Sequence, residues 1–263
     1  MTTGQLFASE DVLHSAIAAE RRGDKSQAEA LFKQAIDERT KALSAEDGSV
    51  GEYIHQLGRF YMTVGKNQEA EETLKRALEV VEKAYYAAHA NLASILDDLA
   101  GLYIGQEKLA EAEPVLVKLL DVVDKTMNGD HRYCFETLHK LSYVYRRLNK
   151  LAEAEKLLLK ALKTIDTPLG PAEEFRFDLA LVYMDLGKND EAETNFKLAI
   201  NGFDQRKNLF RLNQCLGVYA GFMKKLGKNE QAKRAEELAE KVRDTAGTQE
   251  HHGDIFPSTL LRA

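Results

Sequence analysis

The sequence predicts an all-α fold built as an array of six helical hairpins, and three observations carry that prediction. The stretch Gly101 to Val123, GLYIGQEKLAEAEPVLVKLLDVV, largely returns 42 residues later, between Ser142 and Ile165, as SYVYRRLNKLAEAEKLLLKALKTI. Six polar turns recur, centred on Gly23, Gly65, Glu107, Asn149, Gly187 and Gly227, with separations of 42, 42, 42, 38 and 40 residues. Five residues after every centre stands an alanine: Ala28, Ala70, Ala112, Ala154, Ala192 and Ala232. Helix axes that meet at a short turn need a small residue where they come closest, so one alanine at one offset in every hairpin has a packing reason.

Other offsets define the two helices of each hairpin. Eight and seven residues before the centres run Ser15–Ala16, Leu57–Gly58, Leu99–Ala100, Leu141–Ser142, Leu179–Ala180 and Tyr219–Ala220, a large-then-small step that marks the first helix. Nine residues after come Phe32, Leu74, Leu116, Leu158, Phe196 and then Glu236. Twelve after come Ala35, Ala77, Leu119, Ala161, Ala199 and Ala239. These apolar positions recur at helical spacing and form the buried stripe of the second helix. Tyr61, Tyr103, Tyr145 and Tyr183, four before their centres, read as core packing rather than as a ladder for bases.

Taken in order, the hairpins carry their own start and stop signals. In the first, Ser26 with Glu29 has the pattern of a capping box. In the second, fifth and sixth, GKN at residues 65, 187 and 227 offers a glycine that can leave the first helix left-handed, and an asparagine to cap the second. The third contains Pro114 early in its second helix, where a missing N–H costs little. The third and fourth share KLAEAE, whose charges read as a solvated face with i to i+4 pairs, of which Glu237 with Lys241 is the counterpart in the sixth. There Glu236 replaces the large apolar residue, and only Ala232, Ala235, Ala239 and Val242 form a stripe, as expected of a cap that ends a stack. The array is therefore expected over residues 1–243. A flexible tail over 244–263 has a polar linker and an apolar cluster of Ile255, Phe256, Leu260 and Leu261 around Pro257. That cluster either docks on a groove, of its own array or of a neighbouring molecule, or stays a free terminus.

Composition narrows the function classes. Of 263 residues 44% are apolar and 30% charged, with four Pro and no Trp, which suits a helical soluble chain. The net charge of -6 argues against a general nucleic-acid affinity, which needs surplus Lys and Arg. Between Asn201 and Arg243, however, ten Lys or Arg stand against five Asp or Glu. Cys134 and Cys215 form no CxxC pair, so neither a disulfide framework nor a zinc site is indicated. No stretch has the length of a signal peptide or membrane span, and a cytoplasmic location follows by default. No nucleophile motif, phosphate-cradling loop or HExxH is present, so a cofactor-free, non-enzymatic protein is expected.

These repeats resemble the tetratricopeptide repeat. EAEPVL at Glu111 to Leu116, with connectors KALSAEDG (Lys41 to Gly48), KAYYAAHANLA (Lys83 to Ala93) and KTMNGDH (Lys125 to His131), is similar to the long repeats of kinesin light chains. The resemblance covers residues 9 to 243 and implies a right-handed superhelix whose first helices line a concave groove that holds peptides. By offset, that groove would be lined by His55, Asp97, Asp98, His139 and Phe177, then Arg59 and Tyr143, then Met62, Arg146, Met184 and Lys224. The mixture of hydrogen-bonding and apolar groups suits recognition better than a uniformly solvated face. His55, Asp97 and His139 occupy equivalent places in three successive repeats. Roughly 10 Å between packed helices disfavours a shared zinc ion, and a hydrogen-bonded His and Asp ladder is expected instead. The sequence thus predicts a protein-interaction adaptor with a protein or peptide partner, no nucleic acid and no membrane insertion. Two alternatives remain open: a self-assembling scaffold, and a regulator that binds a small molecule or signal peptide.

Overall fold

A computed structural model describes residues 3–84, 90–126, 131–164 and 172–247. Among the described residues there are twelve helices and no strand. They are α1 (Thr3–Arg21), α2 (Lys25–Ala42), α3 (Gly48–Thr63), α4 (Asn67–Ala84), α5 (Ala90–Gly105), α6 (Leu109–Thr126), α7 (His131–Arg147), α8 (Leu151–Thr164), α9 (Ala172–Asp185), α10 (Asn189–Gln205), α11 (Leu209–Lys225) and α12 (Asn229–Gly247). The chain forms two compact units, Met1–Glu153 and Ala154–Ala263. In the first, α1 packs on α2, α3 on α4 and α5 on α6, and α2, α4 and α6 each also pack on the helix that follows. In the second, α9 packs on α10, α10 on α11 and α11 on α12.

All six turn centres adopt positive φ: 79° at Gly23 and Gly65, 58° at Glu107 and Asn149, 71° at Gly187 and 72° at Gly227. After each of the last five, the N–H of the next residue reaches back to the fifth residue before it: Lys66 to Tyr61, Lys108 to Tyr103, Lys150 to Tyr145, Lys188 to Tyr183 and Lys228 to Met223, at 2.8–2.9 Å. This left-handed exit satisfies carbonyls at the end of the first helix that would otherwise lack a donor. The helix starts differ from the sequence expectation. Asp24, not Ser26, caps α2 by accepting from the Gln27 N–H at 3.0 Å. Asn189 is already the first residue of α10, and the preceding Lys188 makes no side-chain cap bond.

The alanines five residues after each centre are all 0% exposed. Phe32, Leu74, Leu116, Leu158 and Phe196 are buried beside them, whereas Glu236 is exposed. Ser15 departs from the pattern: it is exposed. Gly58 shows why the first helix needs a small residue, since a Cβ there would stand 2.7 Å from Leu74 Cδ2. The helix passes through Pro114 without interruption.

A second repeating device ties successive hairpins together. The glutamate six residues after one centre binds the lysine immediately after the next centre: Glu29 with Lys66 at 2.6 Å, Glu71 with Lys108 at 2.7 Å, Glu113 with Lys150 at 2.6 Å, Glu155 with Lys188 at 2.9 Å, and Glu193 with Lys228. Lys66, Lys108 and Lys188 also lie over the rings of Tyr61, Tyr103 and Tyr183. The Tyr61 hydroxyl donates to Glu29. Glu29 and Glu71 take a further lysine from their own helices, Lys33 and Lys75. Glu29 is held at about 2 by the Lys33 and Lys66 ammonium groups, and Glu71 at about 2 by Lys108 and Lys75. The first lysine and last glutamate of KLAEAE are therefore joints between repeats, a correction to their reading as a solvated face. In α12, Glu237 pairs with Lys233 rather than Lys241.

Candidate functional site

Three consecutive first helices of the first unit, α3, α5 and α7, place the predicted site residues on one face. Helical spacing brings His55, Arg59 and Met62 to one side of α3, and the two-hairpin ladder brings Asp97, Asp98 and Gly101 of α5 beside them. His55 is buried, and its Nε2 lies 2.7 Å from Asp98 Oδ2. The Arg59 Nε reaches the same oxygen at 3.6 Å, with a side chain 57% exposed. Asp97 turns the other way and accepts from Lys140 Nζ of α7 at 2.5 Å. The expected His55–Asp97–His139 ladder is thereby corrected. Asp98 reaches back to α3 and the neighbouring Asp97 forward to α7, so the histidine finds Asp98 and the Asp97 link ends on a lysine that the sequence reading did not single out.

Further along the same face, Arg147 donates to the Tyr143 hydroxyl at 2.6 Å, lies 5.6 Å from its ring centroid, and also binds Glu107 at 2.6 Å. This fixes the Tyr143 ring through a residue next to the predicted Arg146. Met62, His139, Tyr143 and Arg146 are half-buried. Between Arg59 on α3 and Tyr143 on α7 lies Gly101, where a Cβ would meet no atom within 4 Å, so the backbone of α5 is open at that point.

The second unit carries the other three candidates, and they differ in kind. Phe177 is 2% exposed, with its ring 6.0 Å from Phe196 and 6.4 Å from Phe203, beneath the Arg211 guanidinium at 5.4 Å. It is a core residue, which corrects its assignment to a binding face: the aromatic cluster of α10 draws it inward. Met184 is half-buried, and Lys224 is exposed and paired with Glu236 of α12 at 2.5 Å. The neighbouring Arg211 holds Glu174 through Nε at 2.9 Å.

The thiol of Cys215 is 0% exposed, and burial pushes it up to about 12, far from a thiolate nucleophile at neutral pH. Among the described residues no three His, Cys, Asp or Glu side chains converge on a point that could hold a metal ion. Nor is any described helix long and apolar enough to cross a membrane.

Comparison with known proteins bears on the same repeats. Two tetratricopeptide repeat family models match, one over residues 50–125 and 91–165 and the other over residues 173–201, together more than half of the chain. No curated protein sequence matches. Among solved structures, a kinesin light chain-like protein of Podosopora anserina with nearly identical TPR-like repeats is 22% identical, covering 79% of this chain and 99% of its own, with a TM-score of 0.64. BtubC (BKLC) from P. vanneervenii is 18% identical over 97% of this chain and 98% of its own, with a TM-score of 0.64. YrrB, described as a TPR protein with an unusual peptide-binding site, is 18% identical over 81% of this chain and 92% of its own, with a TM-score of 0.52. The turn-centred repeat, its buried alanines and the family matches agree, and the chain belongs to the tetratricopeptide repeat family, with repeats like those of kinesin light chains.

Proposed function

We propose that this protein is a non-catalytic interaction adaptor that holds a peptide or helical segment of a partner protein against the face of α3, α5 and α7. The observation that carries the reading is the exposed Arg59 beside the open backbone of Gly101, with half-buried Met62 and Ile104 and the braced ring of Tyr143 around it. Charged donors next to apolar contact and bare backbone give a passing chain both hydrogen bonds and burial. The peptide-binding description of YrrB supports the reading by analogy of fold alone. Cys134 and Cys215, neither of them in a disulfide, suit a reducing, cytoplasmic setting.

The partner is to be captured on the immobilised full chain and identified, and its affinity then compared across variants. Alanine at Arg59, Tyr143 and Arg146 is expected to cost more than about 1 kcal/mol each, since arginine and tyrosine are frequent hot spots. Circular dichroism should not change. Undiminished binding by the triple variant would remove the site from this face.

A specific observation favours a second reading, a self-assembling scaffold. Leu198 of α10 and Leu238 of α12 are 46% and 43% exposed at the same offset from their turns. Sedimentation separates the two, because a monomer at every concentration excludes assembly through those leucines.

A further inference from the structure

In α11 the face that carries side chains in α3 and α7 is bare. The offsets held by His55 and Arg59 in α3, and by His139 and Tyr143 in α7, are Gly217 and Gly221 here, both exposed. A Cβ at either glycine would meet no atom within 4 Å. Nothing among the described residues therefore requires glycine, yet each mid-helix glycine costs about 1 kcal/mol relative to alanine. A close approach by another stretch of backbone would explain both. Phe210, two turns before Gly217 on the same face of α11, is 53% exposed.

The chain itself supplies a segment of the right length. Residues 248–263 lie outside the described residues and follow α12, which packs against α11 across the turn at Gly227. Gly247 stands twenty residues past that turn, level with Lys207, twenty residues before it. From that level to Gly217 is about 15 Å along the helix axis and about 10 Å around it. Residues 248–254, at about 3.3 Å each, span about 23 Å. They deliver Ile255, Phe256, Leu260 and Leu261, and Pro257 biases Phe256 toward the extended conformation that a backbone groove accepts.

We propose that residues 255–261 dock in cis, as an extended strand, on the Phe210, Gly217 and Gly221 face of α11. Phe256 and the leucines cover Phe210 and the glycine backbone. Tethering makes weak docking effective through a high local concentration. The inference concerns α11 alone and does not rest on the adaptor reading for α3, α5 and α7.

The chain contains no Trp, so Phe256→Trp in the full protein places a single reporter in the segment. Blue-shifted emission and several-fold weaker acrylamide quenching than for free tryptophan are expected at every protein concentration. Both should revert to the exposed values on adding Gly221→Leu, with unchanged circular dichroism. Should Gly221→Leu disturb folding, Leu260→Asp with Leu261→Asp releases the segment without touching the helix. A photo-cross-linking residue at position 256 then reports location, and adducts within residues 210–224 of the same chain are expected. A fully exposed reporter, burial that persists in the variants, burial that grows with concentration as for a second copy, or adducts elsewhere would each overturn the proposal.

Discussion

Gly58 and Gly101 sit on neighbouring first helices, yet an added Cβ meets opposite conditions at the two. At Gly58 it would stand 2.7 Å and 2.9 Å from two carbons of Leu74, itself 0% exposed and unable to move aside. Overpacking of that kind costs about 1–3 kcal/mol, more than the half to one kcal/mol that alanine returns in a helix. At Gly101 the space is open, and only the helical gain remains. Gly58→Ala is therefore expected to lower the denaturation midpoint, and Gly101→Ala to raise stability by about 0.5–1 kcal/mol. Equal effects at the two sites would refute the packing assignment. His55 and Asp98 show the same dependence on one residue of register: a neighbouring carboxylate, Asp97, is bound to Lys140 instead.

The turn is the element that organises each hairpin, and it occurs once more than the repeat count indicates. Between α10 and α11, Lys207 adopts φ 56°, Asn208 N–H reaches back to the Phe203 carbonyl at 3.0 Å, and the Asn208 side chain accepts from Arg211 N–H at 3.2 Å. The connection between hairpins there thus uses the same left-handed exit as the turns within them, which shortens the repeat. A non-glycine residue in that region costs roughly 1–2 kcal/mol, while glycine gives back about 0.5–1 kcal/mol through its freedom in the unfolded chain. The exposed pair of Lys207 with Asp204 at 3.5 Å adds little. Lys207→Gly should consequently stabilise the protein by about 0.5–1 kcal/mol. A lower midpoint in urea would mean that the turn is held by the lysine side chain.

At the scale of the whole molecule, each unit is fastened by the glutamate and lysine ties between hairpins. Glu29 and Glu71 are held at about 2, below their ordinary 4.5, so their stabilising effect is full above pH 4.5 and is lost as pH falls toward about 2. Melting temperature is expected to drop across that window. Glu29→Gln with Glu71→Gln should be less stable at neutral pH and show a flatter acid limb. An acid limb as steep as the parent's would exclude these two carboxylates as its source.

The all-α class, the six turn centres, the buried alanine of every hairpin and the polar last helix were legible in the sequence. Each rests on backbone conformation or on periodic packing that one helix writes into its own residues. Pairings between helices were not. Whether Asp97 or Asp98 meets His55, whether Glu29 caps a helix or binds Lys66, and whether Phe177 faces outward or joins Phe196 depend on rotation and separation of packed helices. The regular offset of Lys and Glu was visible in KLAEAE, but i to i+4 neighbours explain the same charges, and only the distance between hairpins decides between the two. Tertiary structure alone fixes those contacts, because a shift of one residue turns a side chain about 100° around its helix axis.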